Sequence, residues 1–281
     1  WRVAEGDTLT LDAREIRTRA KPRAEEMPLD VLFEDPHLIA LNKPAGVVVH
    51  PSYKHTAGTL INALLWHAAR WPSGDAPALL TRLDKLTSGV LLVAKRREVV
   101  VALQREMKAE RIQKDYLAVV HGRPAPSRGT IDLALDRDPW DRRKVTVTDR
   151  GGQRAVTKYE VLGGERDERV AAGEADAPSK DPRDADTVVA GPYSLLRCRL
   201  VTGRMHQIRV HLAHKGWPLV GDAVYGHPDA SLAFPRQALH AWRVSLTHPV
   251  THEPLTVTAP VPADLRALMD ALGLRAPESA C

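Results

Sequence analysis

The sequence predicts an α+β domain built on a largely antiparallel, mixed central sheet with flanking helices. Three observations lead there: strand-length apolar runs occur in hairpin-like pairs, single stretches with helical periodicity fall between them, and no internal repeat is evident. A chain of 281 residues that is 43% hydrophobic and 27% charged is ample for a sizeable core of this kind.

The elements follow in order. Residues 1–28 are polar, and GDTLTLDA among them is too short to bury a core alone, so a linker or the remnant of a small preceding module is expected. In LDVLFEDPHLIALNKPAGVVVHP, apolar runs at Leu38–Leu41 and Val47–Val49 predict two strands joined by a turn. TLINALLWHAAR places Leu60, Ala63, Leu64 and His67 on one helical face, with Thr59 as the cap. Next, Thr87, Ser88 and Gly89 read as a tight turn into VLLVA, which has the composition of a strand buried on both faces.

RREVVVALQREMKAER then carries Val99, Val100, Leu103 and Met107 as an apolar helical stripe. IQKDYLAVVHG reads as a strand with Tyr116, Ala118 and Val120 on one face and Leu117 and Val119 on the other. Further strands are predicted near Val145 and Val156. Residues 163–191, rich in Gly, Ala, Pro and Asp, read as a mobile surface insertion rather than a linker, because strand patterns resume on both sides. Tyr193–Val201 alternates again, with Leu196, Cys198 and Leu200 opposite Arg197 and Arg199. His206–Lys215 reads as a helix stopped by Gly216 and Pro218. Strands at Val244–Leu246 and Leu255–Thr258 and a short helix from Ala263 complete one domain over residues 29–275.

Composition narrows the function. No run of eighteen apolar residues is present, so no membrane-spanning helix is expected. Two distant cysteines, Cys198 and Cys281, make neither a disulfide framework nor a metal set and fit a reducing cytoplasm. A net charge of +5 and a pI near 9.3 are compatible with an anionic partner such as nucleic acid. With two Phe and five Tyr, a broad aromatic platform for single strands is not expected.

Two groups of residues carry chemistry. Arg82 and Asp84 stand two apart before the Thr87–Gly89 turn; such a pair is ordinarily a solvated ion pair, but here it is anchored to a buried strand. TGRMHQIRVH, Thr202 to His211, concentrates Arg204, His206, Gln207, Arg209 and His211, with no Glu or Cys at a zinc-ligand offset; the histidines therefore read as hydrogen-bonding or surface groups. Arg209 adjoins the Ile208–Leu212 core face, and a buried arginine needs a carboxylate, for which Asp84 is a candidate. Tyr116 alone reads as a core residue with its hydroxyl at the rim. P-loop, GxGxxG, GxSxG and CxxC patterns are absent.

TRLDKLTSGVLLVAK resembles the R-L-D-x-x-T-S-G-[VL] signature of the RluA-type pseudouridine synthases. KDYLAVVHG resembles that family's K-x-Y-x-A-x-V-x-G segment, and TGRMHQIRVHLAHKGWPLVGDAVYG its T-G-R-x-H-Q-I-R-x-H…G-x-P-x-x-G-D-x-x-Y-G segment. LNKPAGVVVHP and LHAWRVSLTHP match the opening and closing elements, so five ordered motifs cover the chain from about Leu29 to Pro260. Thr81 stands where the family commonly has His. The resemblance implies a cleft across the sheet and cofactor-free, metal-free isomerisation of uridine to pseudouridine in RNA.

By the same resemblance, Asp84 matches the catalytic nucleophile, Arg209 its partner and Tyr116 the ring packed on the uracil. Arg82 would hold the flipped-out nucleotide, and Leu239 would close the other side of the base. Basic residues around Lys95–Arg111 and Arg142–Lys144 are candidate contacts to the RNA backbone. GDTLTLDA resembles the end of the RNA-binding module that precedes the catalytic domain in ribosomal members. Large-subunit ribosomal RNA is the expected substrate, with transfer RNA the competing one and a non-catalytic RNA-binding factor the competing class. A cytoplasmic monomer is expected.

Overall fold

The run VLLVA has no polar face, and a strand with no polar face belongs in the middle of a sheet. In the computed structural model, which describes residues 4–8, 21–51, 56–72, 74–141, 143–164, 193–226, 232 and 234–277, this run lies in β4 (Ser88–Ala94), all seven residues of which are buried. Preceding it are β1 (Val31–Glu34), β2 (Leu38–Lys43), α1 (Leu60–Ala68) and β3 (Ala78–Leu79). After it come α2 (Arg97–Lys108), β5 (Gln113–His121), β6 (Arg128–Asp132), β7 (Leu135–Arg137), β8 (Val145–Val147) and β9 (Val156–Gly164). The order closes with β10 (Tyr193–Leu200), α3 (Gln207–His214), β11 (Leu239–Thr247), β12 (Pro254–Thr258) and α4 (Ala263–Ala271).

The main sheet runs β1-β2-β4-β11-β5-β10-β9-β6, with β12 on β11 and β3 on β4; β7 and β8 form a separate hairpin. Pairing among the described strands is antiparallel except between β4 and β11, which run parallel at His240↔Ser88 and Ala241↔Gly89. The sheet is therefore mixed and mostly antiparallel, as the alternating runs predict, and four helices flank it.

Alternation along β5 sorts the two faces. Tyr116, Ala118 and Val120 pack with Ile208 and Leu212 of α3. Leu117 and Val119 pack on the other side with Trp242 and with Leu265 and Met269 of α4. The β7–β8 hairpin joins α3 through Leu135, Val145 and Val210, so it overhangs the Tyr116 face.

The structure departs from the sequence reading in two places. Val47–Val49 is not a strand: the carbonyls of Val48 and Val49 accept the first N–H groups of α1, from Leu60 and Ile61, at 2.9 and 3.1 Å. β2 pairs instead with β1, whose four residues carry too short a pattern to stand out. The turn before β4 lies earlier than Thr87–Gly89. It is closed by the Thr87 N–H donating to the Asp84 carbonyl at 3.0 Å, while Ser88 and Gly89 already belong to the strand. Of the expected insertion, Gly163 and Gly164 are the end of β9, which pairs with β10 through Ser194↔Gly164; the rest lies outside the described residues, as does most of 1–28.

Gly89 fixes how close β11 can come to β4. Its φ is +112°, and a Cβ there would stand 2.1 Å from the carbonyl oxygen of Ala241; only glycine meets both demands. Gly89→Ala is expected to lower unfolding stability by about 3 kcal/mol or more in urea titrations. A loss below about 0.5 kcal/mol would mean that β11 can back away.

Candidate active site

Arg209 keeps 5% of its surface exposed, and a guanidinium at that depth requires carboxylate partners. It has two. Nε and Nη2 donate to Oδ2 and Oδ1 of Asp222 at 2.7 and 2.8 Å, a fork-to-fork pair. Nη1 donates to Oδ2 of Asp84 at 3.0 Å. Burial raises the Asp222 pKa, but Arg209 and the backbone N–H groups of Val224 and Tyr225 outweigh it and bring the group below its ordinary value. Asp222 is thus a fixed anion behind the arginine, and Asp84, whose side chain is 25% exposed, faces the open side.

The loop carrying Asp84 is tied down from three directions. Lys43, fully buried, donates to the carbonyls of Pro44, Val47 and Lys85 at 2.7, 2.9 and 3.0 Å. Burial brings its pKa down to about 8, against the pull of the Asp84 charge. From the β11 side, Gln237 donates to the Thr87 hydroxyl at 3.2 Å and Arg236 to the Leu86 carbonyl at 3.2 Å. The Ser88 hydroxyl lies 3.0 Å from Nδ1 of His240. Nε2 of His240 faces the Ala259 carbonyl, so Nδ1 accepts.

His206 caps α3 with φ +53°. Its Nδ1 lies 2.9 Å from the Tyr225 hydroxyl, which also accepts the Val145 N–H at 2.9 Å. The other ring nitrogen, Nε2, lies 3.8 Å from Oδ2 of Asp84. Burial lowers the pKa of His206, which favours the neutral ring. The Tyr116 phenol is shifted upward by burial and then by the Asp84 charge, so it holds its proton.

The five residues singled out from sequence, Arg82, Asp84, Tyr116, Arg209 and Leu239, line one recess together with His206. Leu239 is buried. Arg82 is exposed and makes no hydrogen bond or ion pair among the described residues, so the carboxylate's arginine partner is Arg209. The recess adjoins a cleft of about 640 Å³ that reaches the β7–β8 hairpin and carries Arg82, Lys114, Arg137 and Arg204 against Asp84 and Asp136.

Asp222, His206, Tyr225 and Lys43 were missed as site residues. The signal for Asp222 and Tyr225 was a lone acid and a tyrosine in the otherwise apolar PLVGDAVYG; that for Lys43 was a lysine closing an apolar run. The remaining histidines of the segment hold no surprise: His211 is buried between the Thr157 hydroxyl and the Leu133 carbonyl, at 3.0 and 3.1 Å. Among the basic residues proposed for an RNA backbone, Lys95 is buried on Glu34 at 2.6 Å and Arg96 bonds Asp75 at 3.0 Å. Arg111 and Arg143 are paired with Glu106 and Asp141, and Arg142 lies outside the described residues.

Residues 37–214 match the model of a family described as RNA pseudouridylate synthase. A protein of Xanthomonas campestris pv. campestris named ribosomal large subunit pseudouridine synthase D is 41% identical over 270 residues, covering 92% of this chain and 73% of its own. One of the same name from Nitrosomonas europaea is 39% identical over 278 residues, covering 96% and 73%. The solved structure of human RNA pseudouridylate synthase domain containing 4 superposes with a TM-score of 0.65 at 22% identity, over 89% of this chain and 95% of that one. That likeness is one of fold.

The depressed pKa of Lys43 has a consequence for stability. Below about 8 the lysine is charged in both states and the folded state bears its burial; between about 8 and 10.5 the unfolded chain holds more protons. Stability is therefore expected to rise with pH across that window, by on the order of 3 kcal/mol, relative to Lys43→Met. Denaturant titrations of both proteins at pH 7.5 and 10 test this, and parallel profiles would contradict it.

Proposed function

This chain belongs to the RNA pseudouridylate synthase family, and we propose from that premise that Asp84 is the nucleophile of an isomerisation performed on uridines of large-subunit ribosomal RNA. Membership makes the protein an enzyme that converts uridine in RNA to pseudouridine. The observation that supports the nucleophile most is the position of Asp84: its carboxylate is held by Arg209 at 3.0 Å and opens onto a cleft rich in arginine and lysine. The names of the relatives support the choice of RNA.

The reaction breaks the bond between C1′ and N1 and makes one between C1′ and C5. One proton leaves C5 and one ends on N1, so electrons balance without an outside oxidant or reductant. A carboxylate is a weak nucleophile and needs orientation and shelter from water. Arg209 supplies orientation because Asp222 prevents it from turning. The target uridine leaves its stack at a cost of roughly a few kcal/mol. Arg82, exposed and uncommitted, fills the vacated space, while Tyr116 and Leu239 enclose the base.

Attack of Asp84 on the sugar or on the base turns the carboxylate into an ester and passes its negative charge to the uracil, and the charge returns to Asp84 when the ester breaks. That charge is one of the two causes that hold the Tyr116 proton. Burial, the larger cause, persists throughout, so the phenol keeps its proton and Tyr116 serves to pack against the base. Action as a monomer is part of the proposal. No helix among the described residues is long and apolar enough to cross a membrane, and a cytoplasmic site fits the proposed substrate. Residues 29–275 would form the catalytic domain, and 1–28 the tail of an RNA-binding module.

Nucleoside analysis of ribosomal RNA incubated with the protein is expected to show pseudouridine, and modification of transfer RNA alone would overturn the substrate. Asp84→Asn is expected to lose about 10³-fold or more in single-turnover rate. Full turnover would remove Asp84 as nucleophile. Arg209→Ala is expected to lower the rate far more than RNA affinity; equal losses would make Arg209 a binding residue.

A further inference from the structure

Lys114 is 8% exposed, yet among the described residues its amine has no hydrogen-bond or ion-pair partner. Every other described lysine buried to that degree has one: Lys43 bonds three carbonyls and Lys95 bonds Glu34. Its neighbour in sequence, Asp115, lies on the opposite face of β5 and is paired bidentately with Arg199 at 2.7 and 2.9 Å. Burial alone depresses the Lys114 pKa, with no carboxylate to offset it. A buried cation without a counter-charge is costly, and a fold that keeps one has left a place for an anion.

The place is identifiable. Lys114 lines the cleft described above together with Asp84, Tyr116, Gly203 and Arg204. It lies two residues before Tyr116 on the same face of β5, a displacement of about 7 Å along the strand. The amine therefore serves a position beside the reacting base. Gly203 is exposed, and a Cβ there would come 3.8 Å from the amine. Arg204, also exposed, adds a second positive charge.

We propose that Lys114 and Arg204 form a phosphate subsite that takes the backbone of the nucleotide next to the target uridine. The proposal rests on the reading of the cleft as an RNA site. The ligand is a single phosphodiester, bound by charge and not by base identity, so Lys114 is a positioning residue. It sets where the strand lies and thereby which nucleotide reaches Asp84.

Two measurements on Lys114→Met test it. Binding of oligouridylate to the whole protein, followed against salt, is expected to weaken about tenfold, with the slope of log K against log salt falling by about 0.7, the single-strand value for one phosphate. Lys114→Arg should restore both. In the absence of RNA, Lys114→Met is expected to unfold at a higher temperature than the wild type, because it removes an uncompensated buried charge. A structural lysine would give the opposite: a lower unfolding temperature with an unchanged salt slope. That result, or a loss in kcat with affinity and slope intact, would overturn the subsite. If the wild type itself formed no pseudouridine, the reading of the site would fail, whereas an active wild type beside an unchanged Lys114→Met slope would fail the subsite alone.

Discussion

The Arg209 guanidinium is the point on which the site turns. Three of its nitrogens are committed, two to a buried aspartate and one to a partly open one. A guanidinium is planar and offers its donors in fixed directions, so the bidentate bond to Asp222 determines where Nη1 points. The distance between α3 and the Asp84 loop then becomes a chemical quantity. The sheet keeps it constant: α3 packs through Ile208 and Leu212 on the face that carries Tyr116, while Gly89 lets β11 lie against the strand that follows the loop.

The sequence exposed this arrangement unevenly. Alternation in KDYLAVVHG and YSLLRCRLV was enough to assign faces, because a period of two has no other reading in a half-buried strand. Ile208 and Leu212 at helical spacing placed Arg209 beside the core, and burial then demanded a carboxylate. What spacing could not supply was the second one. Asp222 is thirteen residues from Arg209, beyond a turn, and nothing local distinguishes an acid that anchors an arginine from one at a loop surface. Lys43 and Lys114 were hidden for a related reason: a lysine ending or interrupting an apolar run looks like a strand edge, and only packing reveals how deep its side chain lies.

The misread turn has the same origin. Thr-Ser-Gly has the composition of a turn, but Thr87 and Ser88 direct their hydroxyl groups to Gln237, just before β11, and His240, within it, and Gly89 is needed for contact with that strand. Local propensity gave way to long-range fit. Five ordered motifs supplied what periodicity could not, and they fall on the elements around the cleft: the Asp84 loop, β5, α3 with its following turn, β11, and the Lys43 segment.

The side chain to which the substrate becomes attached decides whether Asp84 is the nucleophile and Arg209 its support. Rapid chemical quenching of the reaction with ribosomal RNA, then proteolysis and mass spectrometry, should recover nucleotide on the peptide containing Asp84, with the yield greatly reduced in Arg209→Met. Attachment to a different side chain, or an equal yield without the arginine, would contradict these assignments.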